Sequence, residues 1–175
     1  MPFLRVIFSF ITVLALSLPA GSFASPTPAP GGANQVNGIS GKLGDTVFNG
    51  VVRVKVVELR DAAAGDHPET ILPSDTQRVM LINVIVRNGL HREFGEILSY
   101  TLADKDDVTF LIPDHWLTPN PLAIQQAGSA RQTGLFPVAK DFQPVKLIVQ
   151  CPTCSAATKF KAIRIQLPPA TTATP

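Results

Sequence analysis

QRVMLINVIVRN, residues 77–88, decides the fold class. Its apolar side chains recur at every second position, with Met80, Ile82, Val84 and Val86 on one face and Val79, Leu81 and Ile85 on the other. A period of two marks a strand, because successive side chains of an extended chain point to opposite faces. Apolar residues on both faces predict a central strand, or one whose outer face a loop covers. The preceding VVRVKVVELR, residues 51–60, shows the half-buried form of the same pattern: Val52, Val54 and Val56 share one face, Arg53 and Lys55 the other.

Shorter β-prone runs surround these two, namely DTVFN (45–49), EILSYTLAD (96–104), DVTFLIP (107–113), RQTGLFPV (131–138), PVKLIVQC (144–151) and FKAIRIQL (160–167). With Gly, Pro and Asp punctuating the gaps, the count is about eight strands. Helical periodicity is almost absent. AIQQAGSARQ, residues 123–132, has room for one helical turn, limited by Gly128, Pro119 and Pro121. Many short strands without crossover helices predict an all-β fold, an immunoglobulin-like antiparallel β-sandwich, with a closed barrel as the alternative. The long connections 61–76 and 113–129 suit the sandwich better, because its sheet-to-sheet crossings need length.

Outside residues 42–168 the character changes. MPFLRVIFSFITVLALSLPAGSFASP opens with Arg5, continues with an apolar run from Val6 to Leu18, and ends in Ser22 and Ala24 at the spacing of a signal-peptidase site. Residues 1–24 therefore read as a secretory signal peptide cleaved after Ala24. A membrane span needs roughly 20 apolar residues, and Pro19 interrupts the run before that. Residues 25–41, SPTPAPGGANQVNGISG, read as a Pro/Gly-rich flexible linker, and residues 169–175 as a disordered tail. The single domain left between them, about 125 residues, is near the commonest domain size.

Charge excludes further classes. The formal charge of +2 falls to +1 without residues 1–24, whose one charge is Arg5, and Lys and Arg never form a run of three. Nucleic acid as a partner would call for clustered basic residues. No stretch of the mature chain has the length of a membrane span. The expected location is the periplasm or the extracellular medium.

The two cysteines, Cys151 and Cys154 in VQCPTCSAAT, allow three chemistries. In an oxidising compartment neighbouring cysteines are usually bonded to each other. Pro152 suits the second position of a β-turn, and such a turn brings its first and fourth α-carbons within ~7 Å, inside the reach of a disulfide. A thiol–disulfide redox centre would place the first cysteine at a helix N-terminus. Here the chain becomes strand-like again within five residues. Zinc would need four ligands, and His67, His91 and His115 are far apart and sit beside turn signals. The disulfide is the preferred reading, with a periplasmic metal-binding protein and a redox protein using Cys151 and Cys154 as alternatives.

Other chemistry finds less support. Asp104, Asp106 and Asp107 fail the EF-hand spacing, since Thr109 and His115 stand where a Gly and a Glu are required. A charged hairpin turn explains them. No G-x-S-x-G motif occurs. No cofactor is indicated. The loop 113–122, PDHWLTPNPL, gathers His115, Asn120 and Trp116, the one tryptophan of the chain. An exposed loop aromatic can anchor a partner. The competing and favoured role is that Trp116 folds back as a lid over an open edge of the core.

AGSARQTGLFPVAKDFQPVKLIVQC, residues 127–151, resembles a signature of secreted bacterial telokin-like immunoglobulin-fold domains, through Gly128, Gly134, Phe136, Pro137, Pro144 and Leu147. RVMLINVIVRNG resembles the long central strand of that family ending in an Asn, here Asn88, and SYTLADKDDVTF its hairpin with an acidic turn. The resemblance spans residues 44–150. The turn ADKDD lacks the usual glycine, and CPTC lies outside the pattern. The family consists of exported or lipid-anchored envelope proteins of unknown function, one of them similar to a mycobacterial secreted immunogenic protein. The resemblance implies no catalytic site. Together these features predict an exported, non-catalytic binding or interaction module of the bacterial cell envelope or extracellular space, acting on an unknown protein or envelope ligand, with His115, Trp116 and Asn120 as the partner-contact loop.

Overall fold

A computed structural model describes residues 38–66 and 73–168 of the chain. The expected signal peptide, most of the linker, the tail and His67 lie outside the described residues. The remainder forms ten strands in two sheets. One sheet contains β1 (Gly38–Lys42), β5 (Ser99–Ala103), β6 (Thr109–Ile112), β9 (Lys146–Gln150) and β10 (Ala162–Gln166), in the order β1-β10-β9-β5-β6. The other contains β2 (Thr46–Phe48), β3 (Val52–Asp61), β4 (Gln77–Asn88), β7 (Leu117–Thr118) and β8 (Ser129–Ala139), in the order β2-β3-β4-β8-β7. This is the expected immunoglobulin-like sandwich. Among the described residues every strand pair is antiparallel except β1 with β10. No helix among them is long and apolar enough to cross a membrane.

The strand β4 occupies the centre of its sheet, between β3 and β8. Met80, Ile82, Val84 and Val86 point into the sandwich, and Val79 and Leu81 are buried on the opposite face. On β3, Val52, Val54 and Val56 are fully buried. A bulge between Val56 and Glu58 then shifts the pleat by one residue, leaving Val57 exposed and pairing Leu59 with Ile82, where it packs on the core. The inner face of the opposing sheet supplies Tyr100, Leu102, Leu147, Val149, Ile163 and Ile165. Each such side chain contributes about 1.5–3 kcal/mol on burial.

Three expectations are corrected. The first concerns residues 25–41, because β1 begins at Gly38 inside the stretch read as linker. Its GISGK sequence has too few apolar residues to show a period, and it forms because the free edge of β10 offers unpaired backbone groups. Glycine permits the approach: a Cβ on Gly38 would stand 2.6 Å from the carbonyl oxygen of Ala162. The second concerns strand number, ten rather than about eight, since β1 and the two-residue β7 carry almost no pattern. The third concerns residues 123–132, which make no helical turn. Ile124 bridges Phe94, and β8 starts at Ser129.

Two residues singled out by the family resemblance hold the strands in place. Asn88, buried at the end of β4, donates through Nδ2 to the carbonyls of Arg92 (2.6 Å) and Ile124 (3.0 Å) and accepts from the amide of Leu90 (2.8 Å). One amide thereby ties the end of β4 and the loop that follows it to the distant segment at Ile124. Gly134 on β8 lies under β7, and a Cβ there would stand 2.8 Å from Leu117 Cδ2 and 3.0 Å from Ile82 Cγ2. Only hydrogen fits.

Candidate functional site

Beyond Ile112 the chain leaves β6 through Pro113 and makes one 3-10 turn, Asp114–Trp116, before entering β7. The Trp116 amide donates to the Pro113 carbonyl at 3.0 Å. His115 projects into solvent, its ring centroid 5.2 Å from that of Trp116. Trp116 is half-buried and packs against the core, so the indole serves as a lid and still keeps an accessible surface. Asn120 is half-buried, with its Nδ2 3.5 Å from the carbonyl of Asp114 and its Oδ1 buried without a partner. The peptide bonds Thr118–Pro119 and Asn120–Pro121 are cis.

The anchor of this loop is a polar pair that no sequence pattern announced. Gln132 on β8 donates through Nε2 to the carbonyl of Pro119 at 2.8 Å and accepts the hydroxyl of Tyr100 at 2.6 Å. Tyr100 and Gln132 are both buried. Burial pushes the Tyr100 phenol far above its ordinary range, so it stays protonated and acts as donor. A glutamine at an inward position of RQTGLFPV was the available signal, because a buried amide requires partners. Its partners lie 32 and 13 residues away, beyond any local motif.

The cysteine pair is a disulfide. The α-carbons of Cys151 and Cys154 are 5.3 Å apart, and the Cys154 amide donates to the Cys151 carbonyl at 3.3 Å, closing a tight turn after β9. Thr153 Oγ1 accepts the amide of Ile97 at 2.9 Å, which docks the turn onto the segment leading into β5. Glu96 from that segment is the neighbour that sequence spacing could not supply. Its carboxylate and the two sulfurs lie within 4.8 Å of one another. As a disulfide the sulfurs carry no thiolate charge, and three donors fall short of the four of a structural zinc site. His91 and His115 belong to no such group among the described residues, and both are exposed.

The acidic stretch 104–107 is the turn of the β5–β6 hairpin, as its composition predicted. Asp104 Oδ1 accepts the amides of Asp106 and Val108, each at 2.9 Å, and Asp107 pairs with Lys146 at 3.4 Å.

The chain matches no family model and no curated protein. Its structure is similar to that of MPT63, a secreted protein from Mycobacterium tuberculosis, with a TM-score of 0.49 and 15% identity over 74% of this chain and 97% of that one. It is also similar to an uncharacterized β-sandwich protein from Clostridium difficile 630, with a TM-score of 0.46 and 7% identity over 75% of this chain and 95% of that one.

Proposed function

We propose that this protein is an exported, non-catalytic binding or interaction module of the cell envelope or extracellular space, which contacts a protein or envelope ligand through the loop 113–122. One observation carries the proposal. The exposed His115 imidazole and the half-buried Trp116 indole stand side by side on a loop fixed to the sandwich core through Gln132. A rigidly held aromatic with an accessible face and a polar neighbour loses little entropy on binding, which is what makes such residues binding hot spots. The leader of residues 1–24 supports export.

The test is affinity capture from the envelope fraction of the source organism, comparing the wild type with His115→Ala and Trp116→Ala. A species held by the wild type and lost from both variants, with unchanged far-UV circular dichroism, supports this function. Equal capture by the variants, or no capture by the wild type, removes the loop as the contact.

A second reading, a periplasmic metal-binding protein, rests on Glu96 beside the cysteine pair. It requires the disulfide to be reduced. Equilibrium dialysis against zinc decides it: retention by reduced protein, lost in Glu96→Gln, favours the metal, and equal zinc-free behaviour of both redox forms rejects it. Use of Cys151 and Cys154 as a redox centre rests on the pair alone.

A further inference from the structure

The outward face of the sheet β1-β10-β9 holds a cavity that is separate from the loop 113–122. Arg164 on β10 lies directly opposite Ser40 on β1, and Gln166 directly opposite Lys146 on β9. Arg164 and Gln166 are two residues apart on one strand, so all four side chains share one face. The hairpin turn bearing Asp104 and Asp107 closes one side, and the resulting cavity measures about 250 Å³. The loop 113–122 leaves the other end of β6 from this turn.

The charges around the cavity are mostly committed to one another. Lys146 pairs with Asp107, Lys105 with Asp106, and Asp104 is held by two backbone amides. Arg164 is different, because its Nη2 is buried and has no hydrogen-bond partner. A buried donor left unsatisfied carries a desolvation cost that an incoming acceptor relieves. The planar guanidinium fork matches a carboxylate. In the wall, Lys105, Lys146 and Arg164 outnumber Asp104 and Asp107 by one, an excess charge that a single carboxylate balances. Ser40, Gln166 and the wall carboxylates offer partners for hydroxyl groups on the same molecule.

We infer that this cavity is a binding site for a small hydroxylated monocarboxylate, which Arg164 engages through its guanidinium and Ser40 and Gln166 orient. The cavity volume fits a molecule of small-metabolite size.

The experiment is titration of the isotope-labelled protein, purified as its host processes it, with lactate as the hydroxy acid, methyl lactate as its uncharged counterpart, and inorganic phosphate. Lactate is expected to shift the backbone amide resonances of Ser40, Arg164 and Gln166 saturably, with methyl lactate inert. Arg164→Gln is expected to weaken lactate binding about tenfold or more, the loss of one hydrogen bond to a charged group. Lys161→Gln leaves binding unchanged. If Arg164→Gln does not fold, Ser40→Ala is read in its place, with weakened binding again expected. The site is refuted if lactate produces no saturable shift, if binding survives Arg164→Gln in a folded protein or Ser40→Ala in its place, or if phosphate binds as tightly as lactate.

Discussion

The Tyr100 hydroxyl donates a 2.6 Å hydrogen bond to Gln132 Oε1 in the interior of the sandwich, joining β5 of one sheet to β8 of the other. Neither side chain has meaningful access to water. Tyr100→Phe keeps the ring in place and strips the glutamine of its donor, leaving a buried acceptor unsatisfied. The expected cost is about 1–3 kcal/mol, measured by urea unfolding. Because Gln132 also holds Pro119, the same substitution is expected to raise hydrogen-exchange rates in the loop 113–122. A change below 0.5 kcal/mol, on the order of an ordinary surface substitution, would show that the pair is not a structural bridge.

Asn88→Ala removes the amide that serves Arg92, Ile124 and Leu90 at once. The Arg92 carbonyl and the Leu90 amide lose this partner, whereas the Ile124 carbonyl keeps the amide of Phe94 at 2.9 Å, and each loss costs about 1–3 kcal/mol where water cannot replace it. The expected outcome is a loss larger than for Tyr100→Phe, and Asn88→Asp should recover only the acceptor half. Thermal unfolding of the three proteins ranks them.

Gly134→Ala tests the close passage of β7 over β8. The added methyl would meet Leu117 Cδ2 and Ile82 Cγ2 inside contact distance, so relief requires movement of two buried side chains. Overpacking of this kind costs about 1–3 kcal/mol. Shortening the neighbour, as in Leu117→Ala, opens the space, and the double variant should be more stable than the sum of the single losses predicts.

Removing the disulfide with Cys151→Ser and Cys154→Ser should leave a folded protein. The closed loop is only four residues, for which chain entropy accounts for roughly 2 kcal/mol. The turn also keeps its bond from Thr153 to Ile97, which does not depend on the sulfurs. A collapse of the fold on reduction would contradict this and would make the pair the main support of its end of the sandwich.

On the outer face, Glu58 accepts hydrogen bonds from Arg60 (2.5 Å) and Asn83 (2.8 Å), and these hold its carboxyl below the usual carboxylate range. A depressed carboxylate contributes stability above the pKa it has in the unfolded chain, and that contribution is lost as pH falls through its folded value. The difference in stability between wild type and Glu58→Gln should therefore shrink on acidification below the ordinary glutamate range. The carboxylate is partly exposed, and solvent screening keeps the effect small. An unchanged difference between neutral pH and pH 2, roughly two units below an ordinary glutamate, would rule the linkage out.

Much of this protein is determined by local sequence. The alternation in residues 51–60 and 77–88 specifies strands and their buried faces, because a pleated chain that must hide one side cannot shift by a single residue without exposing its valines. The tight turn at Cys151 and the hairpin at Asp104 follow from residue types whose effects reach only three or four positions. Tertiary structure decides whatever depends on a partner far along the chain. The strand β1 exists because β10 presents a free edge, and its Gly38 matters only once that edge is near. The bulge at Val57 appears where Leu59 can meet Ile82. Glu96 approaches the cysteines, Gln132 meets Tyr100 and Ser40 meets Arg164 only when strands distant in sequence become neighbours in a sheet. A residue pattern records which side of its own strand faces water. Which side chains converge on one point depends on sheet order, which is set by the packing of the whole core.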